Sequence, residues 1–115
     1  MEAIKGETYQ VDYEAASATI RLQGSLRLSS MSEYEPLANL LSEVAASEPP
    51  TITLDLRQLE FLNSSGISVL SKFAIAMRKR QTSQIVVKGA VSIPWQGKSL
   101  KNLQRLMPGL TLELL

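Results

Sequence analysis

Apolar and polar residues alternate in two early stretches of the chain. Thr8-Tyr9-Gln10-Val11-Asp12-Tyr13-Glu14 has period two, and so does Ala18-Thr19-Ile20-Arg21-Leu22-Gln23-Gly24. Each pattern predicts a half-buried strand, and the short break Ala15-Ala16-Ser17 predicts a hairpin between them. The period then changes. Leu37, Leu40, Leu41, Val44 and Ala45 fall at i, i+3, i+4, i+7 and i+8, the stripe of an amphipathic helix. Before it, Ser32-Glu33-Tyr34-Glu35 reads as a capping box, and Pro36 falls in the first turn, where its missing amide costs little. Pro49-Pro50 closes the connection.

The second half repeats the alternation of element types. Thr51-Ile52-Thr53-Leu54-Asp55-Leu56 is a β-branched strand, followed by a loop. A helix is predicted from about Ser65 to Arg80, with Ile67, Leu70, Phe73 and Met77 on one stripe. Ser83 to Lys88, around Ile85-Val86-Val87, is the next strand. Ser99 to Met107 is a short helix, Pro108-Gly109 stops it, and Leu110 to Leu115 is a last strand. The predicted order is β-β-α-β-α-β-α-β, an α/β fold with parallel strands beneath covering helices. No linker or repeat interrupts it, so residues 1–115 read as one domain, the size at which domains are commonest.

Composition narrows the chemistry. The 115 residues include no cysteine and no histidine. That removes disulfides, thiol nucleophiles, the commonest general base and the commonest zinc ligands. No paired carboxylate spacing points to a metal, and no cofactor is expected. Lys98-Ser99 follows Gly97, but the spacing of a phosphate-binding loop is absent. An enzyme would have to rely on Lys, Tyr or Ser, so a non-enzymatic protein is expected. The charged N-terminus has no apolar core like that of a signal peptide, and no apolar run reaches the ~20 residues of a membrane span. A cytoplasmic location is expected. The net charge of +1 hides an asymmetry: residues 1–60 carry four basic and ten acidic side chains, residues 61–115 eight basic and one acidic. Each half either solvates its own surface or, as a dipole, steers the molecule toward an acidic partner. The basic residues are dispersed without interleaved aromatics, which argues against nucleic acid.

The stretch with most chemistry is Asp55-Leu56-Arg57-Gln58-Leu59-Glu60-Phe61-Leu62-Asn63-Ser64-Ser65-Gly66-Ile67. It runs from a strand into a polar turn that opens a helix, where unpaired amides and a partial positive charge gather. Asn63, Ser64 or Ser65 can act there simply as an N-cap. Alternatively a serine is phosphorylated, since the helix end tolerates the phosphate while the surface gains negative charge. Gly66 would let the backbone be closely approached. Trp95, the one tryptophan, falls in the stretch Ile93-Pro94-Trp95-Gln96-Gly97 and is either an interface anchor or a cover for the core edge. Arg78-Lys79-Arg80 complements the negative end of its own helix.

This stretch resembles the STAS domain, found in anti-sigma-factor antagonists and in the cytoplasmic part of sulfate transporters. The family's hallmark is Asp-Ser-Ser-Gly and an aliphatic residue at the start of the helix after the third strand. Asn63-Ser64-Ser65-Gly66-Ile67 stands there within a similar order of elements along nearly the whole chain. The resemblance implies a STAS-like, mixed and mostly parallel sheet with helices packed against it. It implies a regulatory module resembling an anti-sigma-factor antagonist, phosphorylated at Ser65 by a serine kinase that is also the anti-sigma factor and that supplies the ATP. Ser64, Asn63, Gly66 and Ile67 would form the partner-binding turn, with Ser25, Arg27 and Trp95 on a possible partner surface. Two positions depart from the family pattern. Asn63 replaces the motif aspartate, and Ser25-Leu26-Arg27 follows Gly24 where an acidic residue is usual. Both lie where a partner would bind, which keeps a second reading open: a scaffold of the same fold that binds without phospho-regulation.

Overall fold

The computed structural model describes residues 2–115, with the side chain of Glu2 also outside the description. Six strands and three helices follow in the order β1 (Glu2–Lys5), β2 (Tyr9–Glu14), β3 (Thr19–Leu26), α1 (Glu35–Ala46), β4 (Thr51–Leu62), α2 (Ser64–Arg80), β5 (Gln84–Gly89), α3 (Gln96–Leu106) and β6 (Thr111–Leu114). They form one mixed sheet in which spatial order equals chain order, β1-β2-β3-β4-β5-β6. The first two pairings are antiparallel and the other three parallel. The α/β class and the mostly parallel sheet are as expected.

Three local expectations are corrected. First, the N-terminal residues form an additional strand, so the order is β-β-β-α-β-α-β-α-β. Ile4 pairs with Val11 across it. Four residues with a single apolar inward position are too few for periodicity to register, and the pairing to β2 supplies the order.

Second, β4 does not end at Leu56 but continues to Leu62. Its register against β3 slips twice, between Arg21 and Gln23 and between Gly24 and Ser25, each time placing an additional β4 residue. These bulges change the spacing of the buried residues from two to three: Ile52, Leu54 and Leu56, then Leu59 and Leu62. A period-two reading sees a loop there.

Third, Ser32 caps nothing. It lies inside a 3-10 turn, Met31–Tyr34, and neither that turn nor α1 has a side-chain N-cap. Glu33 instead reaches back to Ser29, accepting from its hydroxyl at 2.6 Å and its amide at 3.4 Å. As expected, Arg78, Lys79 and Arg80 stand in the last turn of α2, at its negative end, and two of them also reach neighbouring helices. Arg78 Nη1 donates to Leu106 O at the end of α3, and Arg80 Nη2 lies 3.5 Å from Ala45 O at the end of α1.

The helices cover the sheet face carrying Val11, Ile20, Leu22, Ile52, Leu54, Leu56, Ile85 and Val87, all nearly or fully buried. The opposite face is polar. Across it Asp12, Arg21, Asp55, Lys88 and Glu113 stand in register on successive strands, with alternating charge. Asp55 is the fulcrum of that row, 4% exposed. Its carboxylate accepts from Arg57 Nε at 2.9 Å and Nη2 at 2.8 Å, with Arg21 at 3.5 Å. The Arg57 hydrogen bond, opposed by burial, holds the Asp55 carboxyl below its usual range. Because sheet order equals chain order, the acidic half of the sequence lies toward β1 and the basic half toward β6. The charge asymmetry is therefore a spatial dipole.

Candidate functional site

The parallel strands end on one edge of the sheet, where open α/β folds place their binding crevices. There β4 passes into α2 through Asn63. This residue has extended backbone geometry, and its side chain caps the helix, accepting from Gly66 N at 3.0 Å. The same Oδ1 accepts from the Tyr34 hydroxyl at 2.6 Å. The other end of the amide, Nδ2, donates to Leu28 O at 2.8 Å. Tyr34 is fully buried, and its hydroxyl also lies 3.3 Å from Leu26 O. Asn63 thus joins the start of α2, the end of β3 and the 3-10 turn before α1. Burial of Tyr34 pushes its phenol above the ordinary tyrosine value.

The departure from the family's aspartate has a physical account here. A carboxylate could take the two bonds that Oδ1 accepts. It could not donate to Leu28 O, and it would set a negative oxygen against a carbonyl. Gly66 is needed for space, not for its backbone freedom. A Cβ there would collide with the Leu62 side chain and come within 2.9 Å of the Tyr34 hydroxyl.

The serines differ from Asn63. Ser64, the first residue of α2, is exposed, and Ser65 is half-buried. Among the described residues neither hydroxyl has a hydrogen-bond partner, and the capping is done by Asn63 alone. No acidic residue stands in the first turn of α2, so its positive end is not neutralised within the helix. Ile67 is half-buried, its amide accepted by Asn63 O at 3.0 Å.

Sheet pairing brings two of the other sequence-named residues to this turn. Ser25 is in register with Phe61, and Leu26 with Leu62. Ser25 has its backbone committed to Thr8 on both sides, at 2.8 Å each. Arg27 is exposed and lies over the Phe61 ring, 4.2 Å from its centroid. The stack places a cation and an exposed aromatic beside the serine turn. Trp95 is placed differently. Its Nε1 donates to Leu59 O at 3.2 Å and its ring packs, half-buried, on the core. It is fixed to the strand before the turn, not to the turn itself.

Sequence reasoning missed Tyr34, 29 residues from its partner Asn63, and Gln96. Gln96 is fully buried and donates to Leu56 O and Leu59 O while accepting from Ala90 N. Among the described residues no cluster of acidic side chains could hold a metal ion, and no helix is long and apolar enough to cross a membrane.

Known proteins share this fold. A chain in the crystal structure of the diguanylate cyclase SiaD with its activator SiaC, from Pseudomonas aeruginosa, superposes with a TM-score of 0.77 at 11% identity, covering 100% of both chains. SiaC of Pseudomonas aeruginosa alone gives 0.75 at 11% identity, over 100% of this chain and 98% of that one. An anti-sigma factor antagonist from Mycobacterium paratuberculosis gives 0.65 at 21% identity, over 90% and 86%. At these identities the likeness is one of fold. No curated protein matches the sequence significantly. The sequence profile of the family described as "Mlab, STAS domain" matches residues 9–106, which includes the Asn63–Ile67 turn. With that span matched, and with the sheet order and helix placement in place, this protein belongs to the STAS domain family.

Proposed function

We propose that this chain is a non-enzymatic regulatory module that binds a protein partner over the Asn63–Ile67 turn and the Arg27–Phe61 stack, and that phosphorylation of Ser65 breaks the contact. The observation that carries this reading is the division of labour in the turn. Asn63 and Gly66 are committed to the fold. The two serine hydroxyls are left over at an unneutralised helix end. A phosphate on Ser65 would meet the helix dipole favourably and would add about −1.5 to −2 charges to a helix start whose first turn has no acidic residue. An acidic partner face seated beside Arg27 would then be repelled.

The partner that the family resemblance favours is a serine kinase doubling as an anti-sigma factor, with the protein acting in the cytoplasm on transcription. The solved neighbours extend the range of partners: SiaC is described as the activator of a diguanylate cyclase.

One observation favours the second reading, a scaffold without phospho-regulation. Asn63 has a structural reason to be asparagine, and with it the turn offers no carboxylate to a kinase. Affinity capture with Ser65→Ala and Ser65→Asp baits separates the two. Under the switch, the alanine bait retains the partner and the aspartate bait loses it. Equal capture by both baits supports the scaffold.

A further inference from the structure

A cavity of about 350 Å³ lies between α1 and α2. That is near the lower end of ligand pockets, roughly 300–1,000 Å³. The site is separate from the serine turn, and its occupancy does not depend on the reading given above. Its floor is apolar: Leu41 and Ala45 from α1, Val69, Phe73 and Met77 from α2. Each is only 0–7% exposed, so the apolar floor shows to solvent as a narrow slot. An amphipathic helix, ~10–12 Å across with its side chains, needs a broad exposed face. A single extended hydrocarbon chain does not.

The small residues Ala38, Ser42 and Ala76 open the walls, and Met31, 42% exposed, joins them from the 3-10 turn before α1. The charges are arranged unequally along the slot. Glu35 opens α1 at the Met31 end. Lys72 stands further along α2, and Arg80 closes the slot where its guanidinium reaches toward Ala45 O. Two cations face one carboxylate, and the carboxylate is at the opposite end from Arg80.

We infer that this slot binds a single-chain amphiphile with a carboxylate head, its chain lying on the Leu41–Phe73–Met77 floor and its head paired with Lys72 and Arg80. Chain burial supplies the attraction, and the two cations set the direction of entry. Glu35 repels a head entering the other way round.

The test uses dodecanoate below its micelle concentration, titrated into the full chain and followed by calorimetry and by the methyl resonances of Met31 and Met77. Saturable one-to-one binding that shifts both methyls is expected. Ala76→Trp, at an exposed position that leaves the core intact, fills the slot and abolishes binding. Lys72→Glu, also at an exposed position, weakens dodecanoate by roughly tenfold and turns the preference toward dodecyltrimethylammonium. Thermal melts of both variants at the wild-type temperature establish that they are folded. The inference is overturned if dodecanoate shows no saturable binding, or if neither substitution changes it. It is also overturned if uncharged dodecyl maltoside binds as tightly as dodecanoate with equal sensitivity to Lys72→Glu, since the head would then go unread.

Discussion

Two turns follow the central parallel strands, and they use their polar side chains in opposite ways. After β5, Gln96 turns inward and gives every side-chain hydrogen bond to backbone of β4 and of the turn, and Trp95 does the same with its one donor. After β4, Asn63 is equally committed, but the next two residues are not: Ser64 and Ser65 keep their hydroxyls out of the fold's hydrogen bonding. Buried polar groups are normally paired, so a paired one says little about function. A polar group that the fold does not use, placed at an unneutralised helix end, is where a partner or a modification can act without unfolding the protein. The contrast moves attention from the tryptophan, the more conspicuous residue in the sequence, to the serines.

The largest expected effect is at the β5 turn. Gln96→Leu leaves the Ala90 amide and the Leu56 carbonyl without their partner and should cost about 3 kcal/mol of stability in urea unfolding, with partner capture unchanged for the folded fraction. A loss of capture at full folding would break the comparison.

Asn63 comes next. Asn63→Ala removes a helix cap and two further bonds and should cost about 2 kcal/mol. Asn63→Asp keeps the cap but exchanges the donor to Leu28 O for a carboxylate oxygen facing that carbonyl, and at least about 1 kcal/mol is expected. If aspartate were as stable as asparagine or more so, the clasp to the β3 end would not be what holds this position.

A control lies outside both turns, on the open sheet face. Asp55→Asn should cost about 1 kcal/mol at pH 7, a modest figure because both arginine partners are half exposed. The Asp55 carboxyl is held below its unfolded value of about 3.9, so its contribution is present above that pH and is lost as pH falls through the folded value. The variant and the parent should therefore converge in stability in acid, as read by denaturation at stepped pH. The smallest effect closes the comparison: Ser64→Ala and Ser65→Ala should each change stability by no more than about 0.5 kcal/mol. A larger cost at Ser65 would mean that its hydroxyl serves the fold after all.

Much of the architecture is legible in the sequence because its strands and helices keep their own periods. Val11 and Tyr13, Ile20 and Leu22, and the Leu37–Ala45 stripe announce their elements without help from tertiary structure. The failures have a common cause in pairing that a segment's own residue pattern does not carry. β1 is ordered by β2. The second half of β4 is held against β3 through two bulges that change the spacing of its buried leucines. Of the site, Asn63 through Ile67 could be named from the motif and its position. What divides Asn63 from the serines could not, because it depends on Tyr34 and on the Leu28 carbonyl, 29 and 35 residues away. The serine-rich segment before α1 misled for a local reason. Its 3-10 turn takes Ser32 out of the cap position and pairs Glu33, not the box residue Glu35, with Ser29, and no residue pattern distinguishes that from a box at Ser32.

The switch requires that the unused hydroxyl of Ser65 be used by the cell. Intact-mass spectrometry with site mapping, on the protein isolated from its native cells beside a Ser65→Ala control, tests this most directly. A single added phosphate on Ser65, absent from the control, is the result predicted. A protein that stays unmodified through growth and stress would contradict the switch and leave the turn as a constitutive binding surface.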